Sequence, residues 1–177
     1  MDVIGAFLHG EMNEEIYMEK PPGVNNCGDS DLVCKLVKSL YGLKQALRAW
    51  NLRINKFLLA LGFLSTESDK CLYFKIIDSL KLYIFLFVDD FILYSNDIQL
   101  MNSAKAALEK EFDMKDLGNL SVFLGIRIEQ KSDCMMLSQH RTSRNFSRNL
   151  IWKTVAHQRL QWKQNHLLML LILFQKI

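Results

Sequence analysis

The chain has 177 residues, 50% hydrophobic and 23% charged, which is ordinary globular usage and enough for one respectable core but hardly two. Its net charge of +3 is too small by itself to argue for a nucleic-acid partner, and the longest uncharged apolar run, residues 167–174, is far too short to span a membrane. Four cysteines, Cys27, Cys34, Cys71 and Cys134, show neither CxxC spacing nor histidine partners at metal-ligand spacing, which argues for reduced thiols rather than zinc. No basic leader opens the sequence, so an intracellular setting, cytoplasmic or nuclear and away from membranes, is expected.

In chain order, residues 2–8 read as the end of a strand and residues 14–18 as another before the Pro21-Pro22-Gly23 break. Residues 25–31 are loop by composition, and 32–36 are a further short apolar stretch. After Tyr41-Gly42 comes the strongest helix signal. Leu43, Ala46, Leu47, Trp50, Ile54, Phe57, Leu58 and Leu61 follow steps of three and four, with Gly62 placed to end the helix after about five turns. A strand is expected over 72–76. Asn96 and Asp97 offer caps for a second helix in which Met101, Ala104, Leu108 and Phe112 face inward. Residues 122–128 and 135–138 would form a hairpin around Lys131-Ser132-Asp133. Strand, helix, strand pair, helix, strand pair is the alternation of an α+β layer, an antiparallel sheet backed by helices.

Between the two helices, residues 82–88 carry no charge and are rich in aromatic and β-branched types, and residues 91–94 continue in that style. The segment reads as a buried hairpin whose turn is Asp89-Asp90. Two carboxylates held at such a tip repel one another and raise their own pKa values unless a cation lies beside them, and a divalent metal is the simplest remedy. The plainer alternative is a turn made of good turn residues.

Five blocks, MDVIGAFLHGEMNEEIYMEKPPG at the start, SLYGLKQALRAW over 39–50, FVDD over 87–90, MKDLG over 114–118 and FLGIRI over 123–128, occur in an order and spacing that resembles the reverse transcriptase domain of copia-type LTR retrotransposon Pol polyproteins. The resemblance covers residues 1 to about 138. It implies an α+β palm with part of the fingers, and RNA-directed DNA polymerase activity by two-metal nucleotidyl transfer, with two Mg2+ ions (Mn2+ as a substitute), an RNA or DNA template-primer, deoxynucleoside triphosphates and the remaining parts of the Pol polyprotein as partners.

Residue by residue, the resemblance makes Asp2 and Asp89 the carboxylates that hold both ions, helped by the Val3 carbonyl, with Asp90 the third, less direct acid. Phe7 would lie beneath the incoming sugar and exclude a 2′-hydroxyl. Tyr41 and Gly42 would lie against the nascent base pair, and Lys44 and Arg48 would face phosphates of the primer-template. Lys115 would stand near the leaving pyrophosphate as a general acid. Leu124 and Gly125 would grip the primer terminus. Two departures stand out: Leu47 where relatives carry proline, which helps start a helix, and Phe87 where tyrosine is common.

Residues 1–138 hold 15 Lys and Arg against 19 Asp and Glu, whereas residues 139–177 hold 7 Lys and Arg and no acid. This off-family basic stretch has two readings. One is an arm with Trp152 and Trp162 among the cations, able to stack on bases and contact phosphates. The other, favoured by the abrupt change of composition, is translation in a shifted frame from a decayed element. Since the resemblance places a strand and a basic fingers segment before Asp2, the chain is expected to be a degenerate fragment with little activity of its own. A non-catalytic nucleic-acid-binding remnant is the alternative, and a poorly folded translation product is a third.

Overall fold

The structure, a computed structural model, describes residues 1–23, 32–131 and 134–139. The basic stretch beyond Gln139, the loop over 25–31 and the expected turn residues Ser132 and Asp133 lie outside them. The chain divides into two compact units, Met1–Gly118 and Asn119–Ile177.

The first unit runs β1 (Asp2–Val3), a short 3-10 helix (Ala6–His9), β2 (Tyr17–Met18), β3 (Cys34–Lys35), α1 (Ala46–Ala60), β4 (Leu64–Ser65), β5 (Leu72–Ile77), β6 (Leu80–Phe87), β7 (Asp90–Ser95), α2 (Ile98–Glu111) and β8 (Met114–Lys115). Six of its strands form one antiparallel sheet in the order β4-β5-β6-β7-β1-β8, while β2 and β3 pair separately. This is the mixed arrangement of antiparallel sheets and two helices that the alternation of patterns anticipated.

Strand side chains alternate between faces. Val3, Tyr73, Leu82, Ile84, Leu86 and Phe91 therefore point one way, into a core completed by Trp50, Ile54 and Leu58 of α1 and by Ala104, Leu108 and Phe112. Asp2, Phe85, Phe87, Asp90 and Ile92 occupy the opposite face of the same strands.

Helix α1 begins later than its periodicity suggested and makes about four turns, not five. Residues 41–42 and 44–45 form turns instead, and Gly42, at φ 94, lies in a conformation that no right-handed helix accommodates. Its inward stripe is Ala46, Trp50, Ile54 and Leu58, spaced four apart. Leu47, expected to face inward, is 53% exposed. Its C-terminus closes as foreseen. Gly62, at φ 83, donates its N–H to the Leu59 carbonyl and Phe63 donates to Leu58, so a left-handed glycine satisfies the orphan carbonyls while buried Phe63 packs back on the core. Helix α2 starts at Asp97, whose carboxylate accepts the Leu100 N–H at 2.6 Å. Among the described residues no helix is long and apolar enough to cross a membrane.

The second unit contributes β9 (Val122–Phe123), β10 (Ile126–Gln130) and β11 (Met135–Ser138), an antiparallel sheet in the order β11-β10-β9. Phe123, Ile126 and Ile128 are buried.

Two ion pairs tie the helices down. Arg53 of α1 pairs with Glu111 of α2 while its guanidinium lies 5.4 Å from the centre of the Phe112 ring. Lys105 of α2 bonds Asp116, just after β8, at 2.8 Å. That ammonium, with the Gly118 N–H second, holds the Asp116 carboxyl below its ordinary range.

Ile54 is fully buried, so Ile54→Ala is expected to lower unfolding stability by about 2–5 kcal/mol in urea titrations, against about 0.5 kcal/mol or less for the exposed Lys56→Ala. The Asp116 carboxyl is partly exposed and its ion pair is screened, so Asp116→Asn should cost only about 0.2–1 kcal/mol at neutral pH. Because the folded pKa is depressed, that contribution is present above the unfolded carboxylate value and fades as pH falls through the folded one. Repeating the titrations down to about pH 3 should show the difference closing.

Candidate active site

Strand β1 is only two residues long, and its neighbours fix what it presents. Met1 and Phe91 exchange both backbone hydrogen bonds, Phe91 N–H to Met1 carbonyl at 2.8 Å and the Met1 nitrogen to Phe91 carbonyl at 2.9 Å. The Val3 N–H then bonds the Asp89 carbonyl at 3.0 Å. Asp2 and Asp90, register partners lying between these bonded positions, form a non-hydrogen-bonded pair. In such pairs the side chains come closest, about 4.5–5.5 Å between Cβ atoms.

On its other side Asp2 is the register partner of Lys115 in β8. Asp90, Asp2 and Lys115 thus stand in one row across three strands, on the face away from the helices. Asp2, Asp89 and Asp90 are half-buried and Lys115 is exposed. Burial first, then the negative charges of Asp89 and Asp2, push the Asp90 carboxyl above its ordinary pKa, against a smaller opposing pull from the terminal amino group.

The turn between β6 and β7 is shifted by one residue from its expected place. Phe87 pairs with Asp90, so the two-residue loop is Val88-Asp89 and Asp90 opens β7. Asp90 consequently obeys the strand alternation that points it at Asp2, while Asp89 occupies the tip. Val88 has φ 57. A β-branched residue there is a genuine outlier, at a cost on the order of 1–3 kcal/mol. The indole N–H of Trp50 donates to the Val88 carbonyl at 2.6 Å.

Behind β1, the 3-10 helix delivers Phe7. Its carbonyl accepts the Gly10 N–H at 3.1 Å and the buried Ser39 hydroxyl. Its ring meets the Tyr41 ring at 4.8 Å between centroids, tilted by 53°. The fold thus brings together two residues nominated for nucleotide binding, although Phe7 also packs against the core. Gly10 is required here by contact: a Cβ would lie 2.7 Å from Ser39 Oγ and 2.9 Å from both Ala49 Cβ and the Trp50 nitrogen. Tyr41 is 58% exposed, and nothing lies within 4 Å of where a Gly42 Cβ would point. Lys44 and Arg48 are exposed, at the approach to α1 and in its first turn. Leu124 and Gly125 lie in the second unit, where they form the two-residue turn between β9 and β10 with φ 48 and 78.

The sequence did not announce Trp50, Ser39 or Gly10 as parts of this site. Trp50 was legible only as a core position of α1, although a buried Trp needs a partner for its N–H.

Among the described residues no three His, Cys, Asp or Glu side chains form a group that could hold a metal ion. What the structure offers is narrower: two opposed carboxylates, hard oxygen donors of the type Mg2+ and Mn2+ take, whose mutual repulsion a divalent cation would relieve. The Val3 carbonyl, directed to the same neighbouring strand as its N–H, lies on the Asp89 side.

The family model for reverse transcriptase (RNA-dependent DNA polymerase) matches residues 1–153. The Retrovirus-related Pol polyprotein from transposon TNT 1-94 of Nicotiana tabacum is 44% identical over 144 residues, 80% of this chain and 11% of that protein. The corresponding polyprotein from transposon RE2 of Arabidopsis thaliana is 38% identical over 80% of this chain and 10% of its own length. The putative transposon Ty5-1 protein of Saccharomyces cerevisiae is 40% identical over 75% of this chain and 43% of its own length. The chain therefore spans about a tenth of the plant polyproteins it matches, and no solved structure matches it significantly. With a family match over most of its length, and with relatives of this kind, the chain belongs to the reverse transcriptase (RNA-dependent DNA polymerase) family of retrotransposon Pol polyproteins.

Proposed function

We propose that the face carrying Asp2, Asp90 and Lys115 is the catalytic face of a polymerase palm with part of the fingers attached, and that its chemistry is RNA-directed DNA synthesis. The observation that carries this reading is the register pairing of Asp2 with Asp90, which sets two carboxylates far apart in the sequence side by side. Asp2, Asp89 and Asp90, with the Val3 carbonyl, would hold divalent ions, Mg2+ or in its place Mn2+. When bound, a pair of such ions activates an attacking hydroxyl and stabilises the departing oxygen of an in-line displacement.

The chain's own groups do the rest. Lys115, next to Asp2, would donate a proton to the leaving pyrophosphate of a deoxynucleoside triphosphate. Phe7, braced by Tyr41 and by Ser39, would present its ring to the sugar and reject a 2′-hydroxyl by collision. Gly42 would let a base pair approach the backbone, Lys44 and Arg48 would meet template or primer phosphates, and the Leu124-Gly125 turn would contact the primer end. In this reading the partners are an RNA or DNA template-primer and the rest of a Pol polyprotein, in an intracellular setting.

A second reading, a nucleic-acid-binding protein without catalysis, draws support from the 7 cations and absent acids of residues 139–177. Primer extension on an RNA template separates the two. The polymerase reading expects synthesis that requires Mg2+ or Mn2+ and falls at least about 100-fold in Asp89→Asn. The binding reading expects no synthesis, with salt-sensitive binding that survives Asp89→Asn and is lost on deletion beyond Gln139. In a metal titration followed by thermal unfolding, excess Mn2+ should raise the melting temperature of the wild type but not of Asp2→Asn or Asp90→Asn. An equal rise in all three proteins would remove the carboxylate pair from the mechanism.

A further inference from the structure

The Val88-Asp89 loop sits in a conformation that its own sequence disfavours. Two-residue hairpin loops with positive φ ordinarily carry Gly, Asn or Asp at that position, and Val88 holds φ 57. A contact from outside the hairpin can offset that preference. The structure supplies one such contact, the indole N–H of Trp50 on the Val88 carbonyl at 2.6 Å.

The donor is well anchored. Trp50 is 1% exposed, its ring is edge-on to Phe112 at 5.3 Å, and its backbone nitrogen faces the tight approach at Gly10. The acceptor is two residues from Asp90. Since alternate strand residues point to opposite faces, a change of turn that slips the β6–β7 register by one residue would move the Asp90 side chain off the face it shares with Asp2.

We propose that Trp50 is a positioning residue for the carboxylate pair: its indole holds Val88 in the left-handed conformation, and that conformation sets Asp90 opposite Asp2. The role rests on the reading of Asp2, Asp89 and Asp90 as the carboxylates that hold divalent ions, and it concerns a side chain that touches neither ion nor substrate.

The test is Mn2+ affinity of the full chain, measured by water-proton relaxation, in Trp50→Phe, Val88→Gly and the double variant. Phenylalanine keeps an aromatic ring in the core but has no N–H to donate, so Trp50→Phe should bind Mn2+ about tenfold more weakly. Glycine adopts φ near 57 without strain, so Val88→Gly should restore the double variant to within about threefold of wild type. A purely structural loss at Trp50 would not be rescued in this way. Unchanged affinity in Trp50→Phe, or a loss that Val88→Gly leaves untouched, overturns the positioning role even where wild-type binding is abolished by Asp90→Asn. Wild-type binding indifferent to Asp90→Asn defeats the metal reading first, and this role with it. Should Trp50→Phe not fold, hydrogen exchange of the Trp50 indole in the wild type decides, because coupling is reciprocal. Saturating Mg2+ should slow that exchange about tenfold relative to amides of α2, and an equal change in both overturns the proposal.

Discussion

The pairing of β1 with β7 is the constraint on which the site depends. Two residues of strand cannot hold themselves in a sheet, and β1 is held by the reciprocal bonds between Met1 and Phe91, the Val3 N–H on Asp89, and the Ile4 N–H on Asp113 at 2.8 Å. Burial of Val3 beneath the helices fixes which face Asp2 takes, because a residue and its neighbour in a strand cannot share a face. The like-charge contact with Asp90 is thus imposed by apolar packing on the other side of the sheet. Repulsion between two half-buried carboxylates is small beside the loss of Val3, Phe91 and Leu82 from the core.

Behind the sheet, the aromatic residues do a related job. Trp50, Phe57, Phe112 and His9 meet mostly edge to face, with Trp50 to Phe112 at 5.3 Å and Phe57 to Phe112 at 5.1 Å. They join α1, the end of α2 and the 3-10 helix after β1, the three segments that lie behind the acidic row. Aromatic pairs in such geometry add about 0.5–1.5 kcal/mol each beyond their buried area. The rigidity that a precise constellation of charges needs therefore comes from the apolar half of the unit.

What could be read from the sequence follows from length. The β6–β7 hairpin, α1 and α2 carry enough residues to show a period, and their inward positions Ile54, Leu58, Ala104 and Leu108 were legible from spacing alone. Strands β1, β4 and β8 have two residues each, too few for any period; β1 and β8 are recruited by partners far away in the sequence, and β4 by the neighbouring β5. Lys115 could be matched to a motif, but only the pairing of β8 placed it beside Asp2. The turn stands one residue earlier than local preference, which favours Asp-Asp over Val-Asp at a bend, would place it, and the Val88 carbonyl in that turn accepts a tertiary hydrogen bond from Trp50. Leu47 failed as a core position because it falls off the stripe that Ala46 and Trp50 define.

The long separation along the chain between Asp2 and its partners Asp90 and Lys115 also sets an order of events. Hairpins such as β5–β6–β7 close small loops and can form within microseconds, whereas β1 must wait for an encounter across roughly ninety residues, whose entropic cost is paid before any reward. Early in folding the protein is then a preformed meander with one vacant edge beside β7. The acidic row comes into being only as that edge is filled, so an incompletely folded molecule carries the hairpin aspartates without Asp2 beside them.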